Sequence, residues 1–222
     1  MQGLTKNDMR VVNYLVRHVN ERNSINALAK AIAMSPNGAY KVLKKLEAAG
    51  IIIPEKFANA VMYRMNYSNE QARKLAEYVL LERTLNAYAT LREEDLQQAK
   101  GPVLAAVLFG SVLHKGKEAR DVDVLIVLEK SKFDEAAALL DKAQFQMPKK
   151  LHRVYQTPED LVDNLRKKDE VVEDILKTGA VLFGAEALVR VLKQVSTSPN
   201  TGLEKNCSYK LCPAQQYLRR FV

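Results

Sequence analysis

Cysteine is scarce in this 222-residue sequence, which contains only Cys207 and Cys212. The two lie close together near the C-terminal end, with no second cysteine pair and no histidine beside them. This arrangement argues against a zinc site, which needs four cysteine or histidine ligands at characteristic spacings. We expect free thiols in a reducing cytoplasm.

Long apolar segments are also missing. No apolar run approaches the length of a membrane-spanning helix, and the N-terminus lacks the short apolar core of a secretory signal. The sequence contains no internal repeat and no low-complexity run. Apolar residues nevertheless make up 47% of the chain, enough for a substantial hydrophobic core. These features predict a cytoplasmic protein with no membrane partner.

Positive charge is distributed unevenly along the chain. Residues 1–66 contain ten Lys/Arg and four Asp/Glu, so they carry +6 of the formal net charge of +8. Residues 67–100 carry −1, residues 101–195 are balanced, and residues 196–222 carry +3. A basic N-terminal module favours a polyanionic partner. The alternative is a basic surface that serves only solubility.

The first third of the chain predicts three helices followed by a β-hairpin. Apolar residues recur at helical spacing, and Thr5, Ser24 and Ser35 are suitable N-caps. Gly50 is suited to end the third helix. The expected elements are helices over residues 4–20, 24–33 and 35–49, and strands over 51–53 and 61–65 that flank a turn-like stretch, residues 54–59.

The stretch Ser35–Ile52, SPNGAYKVLKKLEAAGII, resembles the recognition-helix region of winged-helix transcription regulators. The resemblance covers residues 1–66 and implies a winged helix-turn-helix domain that binds double-stranded DNA. The side chains of its third helix that should face outward are Asn37, Tyr40, Lys41, Lys44 and Lys45. The lysines would contact phosphates, while Asn37 and Tyr40 would reach base edges. A merely solvated helix face and a winged helix that binds protein are the alternatives.

Residues 67–100 are expected to form a helical linker. Ser68 and Gln71 have the spacing of a capping box, which predicts a helix from Ser68 to about Tyr88. A second helix should follow over residues 90–99. The first helix is long for a linker, so it either packs between two domains or carries a homodimer contact. Lys100-Gly101-Pro102 breaks the helical pattern and begins a second domain.

The second domain opens with the stretch Val103–Leu128, in which two apolar runs flank a short polar loop. Such runs are typical of strands buried on both faces. Gly110 lets the backbone turn and approach a phosphate, to which Ser111 can donate a hydrogen bond. Asp121 and Asp123 are two residues apart on an extended segment, so their side chains point the same way. Two carboxylates on one side suit Mg²⁺.

The order of strand, Gly-Ser, spacer, Asp-x-Asp and strand resembles the nucleotidyltransferase superfamily that includes polymerase β. The resemblance extends over about residues 101–190. It implies an α+β two-domain chain, in which residues 101–195 form a mixed-sheet nucleotidyltransferase fold with flanking helices. It also implies that Asp121 and Asp123 are catalytic and bind Mg²⁺. The residues that would bind the phosphates of an NTP are Gly110, Ser111 and Lys115.

The sequence departs from the family pattern at one decisive point. The third carboxylate of the family should lie on the strand Leu151–Tyr155, which has no Asp or Glu, and His152 or Arg153 takes its place. Loss of that carboxylate would weaken one metal site and remove the expected base.

Three functions therefore stay open. The first is a DNA-binding regulator that binds NTP-Mg and transfers a nucleoside monophosphate. The second is a non-catalytic regulator with a degenerate nucleotidyltransferase domain. The third is an antitoxin-like nucleotidyltransferase that acts on a partner protein. Residues 196–222 have no clear period, and we expect a flexible tail there.

Overall fold

The structure, a computed structural model, describes residues 3–21, 23–58 and 60–197. The expected free cysteines lie outside the described residues, as does the predicted flexible tail apart from its first two positions. Those two positions, Ser196 and Thr197, belong to the last helix of the fold.

The N-terminal region folds as three helices and a small sheet. Thr5 and Asp8 form a reciprocal capping box at the first helix, and the hydroxyl groups of Ser24 and Ser35 cap the next two. All three N-caps were predicted from the sequence. The elements are α1 (Lys6–Arg17), β1 (Asn23–Ser24), α2 (Ile25–Ala31), α3 (Pro36–Ala48), β2 (Ile52–Phe57) and β3 (Ala60–Met65).

The small sheet has the order β1-β3-β2 and is antiparallel throughout. Its hairpin was predicted, but strand β2 continues through Pro54, which was expected to begin the turn. Proline is tolerated there because β2 lies at the edge of the sheet and its backbone can forgo one ladder hydrogen bond. The two-residue strand β1 was not predicted, since so short a segment carries no periodicity.

Helices α4 (Glu70–Leu81) and α5 (Ala87–Gln97) follow the hairpin. The N-cap of α4 is Asn69, not Ser68, because the Asn69 side chain accepts hydrogen bonds from the backbone of Gln71 and Ala72. The predicted capping box was therefore wrong by one residue. Helix α4 also ends seven residues before Tyr88, where the chain becomes extended and Asn86 then caps α5.

The larger sheet has four strands in the order β6-β5-β4-β7. Strand β5 pairs antiparallel with β4 and parallel with β6, so the sheet is mixed, as predicted. The strands are β4 (Val103–Phe109), β5 (Asp121–Leu128), β6 (Lys150–Gln156) and β7 (Ala180–Phe183). The accompanying helices are α6 (Val112–Lys115), α7 (Phe133–Gln146), α8 (Pro158–Arg166), α9 (Glu170–Thr178) and α10 (Ala185–Thr197).

Two hydrophobic clusters cover the two faces of the larger sheet. Ala106, Leu108 and Ile126 point into one cluster, with residues of α5 and α7. Val107 and Leu125 point into the other, which is continuous through α8, α9, α10 and α4 into the three N-terminal helices. The alternating strand residues thus bury both faces.

Helix α4 packs between the two halves of the chain, in contact with α1 on one side and with α10 and β7 on the other. This is the first of the two roles considered for it. The N-terminal half is also held by hydrogen bonds. The Arg17 guanidinium donates to the carbonyls of Leu176 and Gly179, both at 2.9 Å. Among the described residues, no helix is both long enough and apolar enough to cross a membrane.

Candidate functional sites

The polar start of strand β5 forms the centre of the first candidate site. Asp121 and Asp123 lie on one side of the strand, while Val122 between them is fully buried on the other. In the sheet, Asp123 is paired with Phe109 of β4 and with His152 of β6. The central strand therefore places both carboxylates between the Gly-Ser turn after β4 and the start of β6.

The imidazole of His152 faces both carboxylates. Its Nδ1 lies 3.2 Å from Oδ2 of Asp121 and 3.4 Å from Oδ1 of Asp123. Each of the three residues offers one potential ligand atom, and these three atoms lie within 4.8 Å of one another. Within the described ranges, this is the only such group of three or more His, Cys, Asp or Glu side chains.

The sequence left His152 and Arg153 as alternatives for the position of the third carboxylate, and the structure decides between them. Arg153, the next residue along β6, forms an ion pair with Asp141 of α7 at 2.7 Å. Asp160, a later carboxylate, is also engaged elsewhere, because it completes a capping box with Thr157 at the start of α8. His152 is thus the third member of the site.

The surroundings of Asp123 raise the pKa of its carboxyl group. Partial burial raises its pKa, and the nearby charge of Asp121 raises it further, whereas His152 lowers it through its charge and a hydrogen bond. The net result is a pKa above the usual value for aspartate. Two carboxylates held this close repel each other, so a cation between them would be stabilising.

Gly110 closes the site from the side of β4. Its φ of +74° lies in the left-handed region, and an added Cβ atom would lie 2.5 Å from Oδ2 of Asp123. Glycine is therefore required for two reasons, backbone conformation and space. Ser111 follows with helical backbone angles, and its hydroxyl makes no capping hydrogen bond to α6. Lys115, at the end of α6, has an exposed side chain.

Two residues that the sequence did not point to hold the loop between β4 and β5. The Asn86 amide donates to the carbonyls of Val112 and Leu113, at 2.9 and 3.1 Å, while its oxygen caps α5. The Lys149 ammonium donates to the carbonyls of Lys117 and Ala119. A cap signal at Asn86 was available in the sequence, but neither long-range contact could be inferred from local pattern.

Asp121, Asp123 and His152 offer a mixed set of oxygen and nitrogen donors to a divalent cation. Two carboxylates that point the same way offer the oxygen ligands that Mg²⁺ and similar ions bind. The third donor is an imidazole nitrogen, which hard ions bind less readily than oxygen. The residues therefore fit a divalent cation, with a third ligand that differs from the three-carboxylate family pattern.

The exposed face of helix α3 is the second candidate site. The side chains of Asn37, Tyr40, Lys41 and Lys44 are exposed, while Leu43 and Leu46 are buried. Lys44 also pairs with Glu47 at 2.9 Å. The four exposed residues form one polar surface, which we call the α3 face.

Lys45 differs from its expected placement as a DNA contact. Its ammonium lies 2.6 Å from Oδ2 of Asp8, a buried residue of α1, and also binds the carbonyl of Gly3. The lysine is partly buried and joins α3 to the start of α1. Its position favours a structural role over contact with a ligand.

Comparisons with known protein families match two separate stretches of the chain. Residues 4–53 match the family described as winged helix-turn-helix DNA-binding. Residues 94–187 match the family described as polymerase beta, nucleotidyltransferase. No curated protein and no solved structure matches the chain significantly.

Proposed function

We propose that this chain, which joins a winged helix-turn-helix DNA-binding domain to a nucleotidyltransferase domain of the polymerase β family, is a DNA-binding transcriptional regulator. Its second domain binds an NTP with a divalent metal ion. The observation that carries the proposal is the α3 face, which is exposed and carries two lysine amines, one asparagine amide and one tyrosine hydroxyl. Such a regulator would act in the cytoplasm on double-stranded DNA.

The chemistry of the α3 face suits a DNA groove. Lys41 and Lys44 would contact phosphates, which position a protein on the duplex without reading its sequence. Asn37 and Tyr40 lie closer to the start of the helix, and an asparagine amide can form a bidentate pair with adenine. The net charge of +6 over residues 1–66 would attract the duplex before contact.

The nucleotide would bind at the edge of the larger sheet. Asp121, Asp123 and His152 would hold the metal ion, which supplies positive charge that neutralises the phosphate oxygens. Gly110 would allow the backbone to approach the phosphates, and the free hydroxyl of Ser111 would donate a hydrogen bond to them. Lys115 would add an exposed positive charge.

Transfer of a nucleoside monophosphate from an NTP to an acceptor hydroxyl, with release of pyrophosphate and the hydroxyl proton, is a second candidate function. The observation in its favour is that the position of the third carboxylate holds a side chain that can also bind a metal. The test uses labelled NTP with Mg²⁺ or Mn²⁺ and a cell extract as the source of acceptors. Label transfer that Asp121→Asn/Asp123→Asn abolishes would support this function, and absence of transfer would leave a binding regulator.

The main proposal is tested by charge reversal on the α3 face. We expect Lys41→Glu/Lys44→Glu to weaken binding to a DNA duplex at least about tenfold at moderate salt. The slope of log K against log salt should also fall by about two, since each neutralised phosphate contributes roughly 0.9. Fluorescence anisotropy with a labelled duplex measures both quantities.

The matched control is Lys142→Glu/Lys193→Glu, which changes the net charge equally with two exposed lysines of α7 and α10. The control should bind DNA nearly as well as the unmodified protein. Equal losses in both double variants would contradict a specific interface at α3. Binding of NTP with Mg²⁺, measured by calorimetry, should be lost in Asp121→Asn/Asp123→Asn and retained in the lysine variants.

A further inference from the structure

We propose that Asp121, Asp123 and His152 form a site that prefers a divalent transition-metal ion such as Mn²⁺ over Mg²⁺. The inference rests on the proposed function, because it concerns the metal that accompanies the nucleotide. It goes further in naming the class of ion and the residue that selects it. The selecting residue is His152.

The first argument is geometric. Nδ1 of His152 faces the same space as the two carboxylates, at 3.2 and 3.4 Å from their nearest oxygens. Asp123 and His152 are direct partners in the parallel pairing of β5 with β6. This pairing directs the side chains of Asp123 and His152 to the same face of the sheet, which places the imidazole beside the carboxylates.

The second argument is chemical. Mg²⁺ is a hard ion that takes oxygen ligands in near-octahedral geometry. Imidazole nitrogen suits Zn²⁺, Fe²⁺ and Ni²⁺, whereas carboxylates suit Mg²⁺ and Mn²⁺. Mn²⁺ belongs to the same transition-metal series as the first group and, unlike Mg²⁺, accepts nitrogen beside oxygen ligands. A set of two carboxylates and one imidazole therefore favours an ion that accepts both donors. Mn²⁺ meets this condition and still binds phosphate oxygens.

The third argument is that the described residues offer no carboxylate to replace the nitrogen. The neighbouring Arg153 is paired with Asp141, and Asp160 is held in the cap of α8. In the parts of the chain that the structure describes, Asp121, Asp123 and His152 form the only group of three or more His, Cys, Asp or Glu side chains close enough to share a metal ion.

The test uses the full chain and metal ions alone. Calorimetric titration should give Mn²⁺ an affinity at least about tenfold higher than that of Mg²⁺. The estimate assumes that Mg²⁺ gains little from the imidazole, and that this difference matters at least as much as loss of an outer-shell partner, which costs a metal site about 10–100-fold in affinity. In His152→Asp the ratio of the two affinities should fall by at least about tenfold, mainly through tighter Mg²⁺ binding, because a third carboxylate suits both ions. His152→Gln, which lacks both imidazole and charge, should weaken Mn²⁺ binding without favouring Mg²⁺.

Pulsed electron paramagnetic resonance provides a direct readout of the ligand. Bound Mn²⁺ should show coupling to an imidazole ¹⁴N that disappears in His152→Asp and persists in His114→Gln, where an exposed histidine of α6 is removed. Equal affinities of the unmodified protein for Mn²⁺ and Mg²⁺, or absence of the nitrogen coupling, would overturn the inference. If Mg²⁺ with NTP still bound, the proposed function would survive. Failure of every metal to bind, with or without NTP, would overturn both this inference and the proposed binding of NTP with a metal ion.

Discussion

Gly110 lies directly against the carboxylate of Asp123, so closely that a Cβ atom at Gly110 would come within 2.5 Å of Oδ2. The two residues are neighbours only through the pairing of β4 with β5, in which Phe109 opposes Asp123. The turn that would receive phosphate and the carboxylate that would hold the metal are therefore fixed relative to each other by one strand pair.

This proximity predicts a large effect of Gly110→Ala on metal binding. The methyl group would displace the Asp123 carboxylate, and we expect the affinity for Mn²⁺ or Mg²⁺ to fall at least about tenfold. The positive φ should also cost about 1–2 kcal/mol of unfolding free energy. Metal titration and urea denaturation measure the two effects.

Gly101→Ala is the matched control. Gly101 also has a positive φ, +128°, but an added Cβ would meet no atom within 4 Å. The control should lose stability from backbone strain while its metal affinity stays unchanged. Comparable loss of metal affinity in both variants would show that strain, and not the closeness of Asp123, controls the site.

Local sequence patterns predicted most of this arrangement. The two buried strands, the Gly-Ser turn and the Asp-x-Asp pair are close in sequence, so strand periodicity alone places their side chains. The helix caps at Thr5, Ser24 and Ser35 were equally local. The capping box assigned to Ser68 failed because Asn69 is an equally good N-cap, and the pattern does not decide between adjacent candidates.

Interactions between distant segments could not be predicted in the same way. The choice between His152 and Arg153 depends on the register of β6 against β5, and a shift of one residue would exchange their faces. Lys45 was placed outward by helical spacing, but its long side chain reaches buried Asp8, more than thirty residues earlier. Asn86 and Lys149 likewise act on a loop remote from them in sequence.

Asn37 and Tyr40, the side chains of the α3 face that we propose to read bases, should govern specificity and not general affinity. Asn37→Ala/Tyr40→Ala should weaken binding to a selected DNA site by about 1–3 kcal/mol for each base that these side chains read. Binding to random duplex, and the salt slope, should stay almost unchanged, because interactions with phosphates determine both. Affinity for selected and random duplexes, measured at several salt concentrations, provides the check.

Tyr78→Ala is a suitable control for the aromatic substitution, since Tyr78 is exposed on α4, away from α3. It should leave both affinities as they are. If Asn37→Ala/Tyr40→Ala weakened binding to random duplex as much as binding to the selected site, the assigned roles would be contradicted.

The Asp8–Lys45 ion pair should stabilise the N-terminal half in a pH-dependent manner. Burial raises the pKa of Asp8, but hydrogen bonds from Lys45 and Thr5 outweigh burial and leave this pKa below its usual value. A lowered folded-state pKa means that the stabilisation is complete above the unfolded pKa, about 3.9. It is lost as the pH falls through the folded pKa.

Asp8→Asn should therefore reduce the unfolding free energy at pH 7 by about 1.5–3 kcal/mol, the range for a hydrogen bond to a charged group. The difference from the unmodified protein should start to shrink below about pH 4, the unfolded pKa, and disappear as the pH falls through the lower folded-state pKa of Asp8. Lys45→Met should also destabilise, because it leaves a buried carboxylate without its cation. Urea denaturation between pH 3 and 7 tests this, and a difference that does not vary with pH would exclude the ion pair as its source.

The link between the two halves predicts a stability role for Arg17. Its guanidinium is partly buried and donates to the carbonyls of Leu176 and Gly179, which lie at the end of α9 and directly before β7. Arg17→Met keeps most of the side-chain volume but leaves both carbonyls without this donor. We expect a loss of about 1–3 kcal/mol in unfolding free energy.

Arg190→Met removes an exposed guanidinium paired with Glu186 on α10 and should cost less than about 0.5 kcal/mol. Because one hydrophobic cluster runs through both halves, the Arg17 variant should still unfold in a single calorimetric transition at a lower temperature. Separate transitions for the two halves, or equal effects of the two arginine substitutions, would contradict this account of the junction.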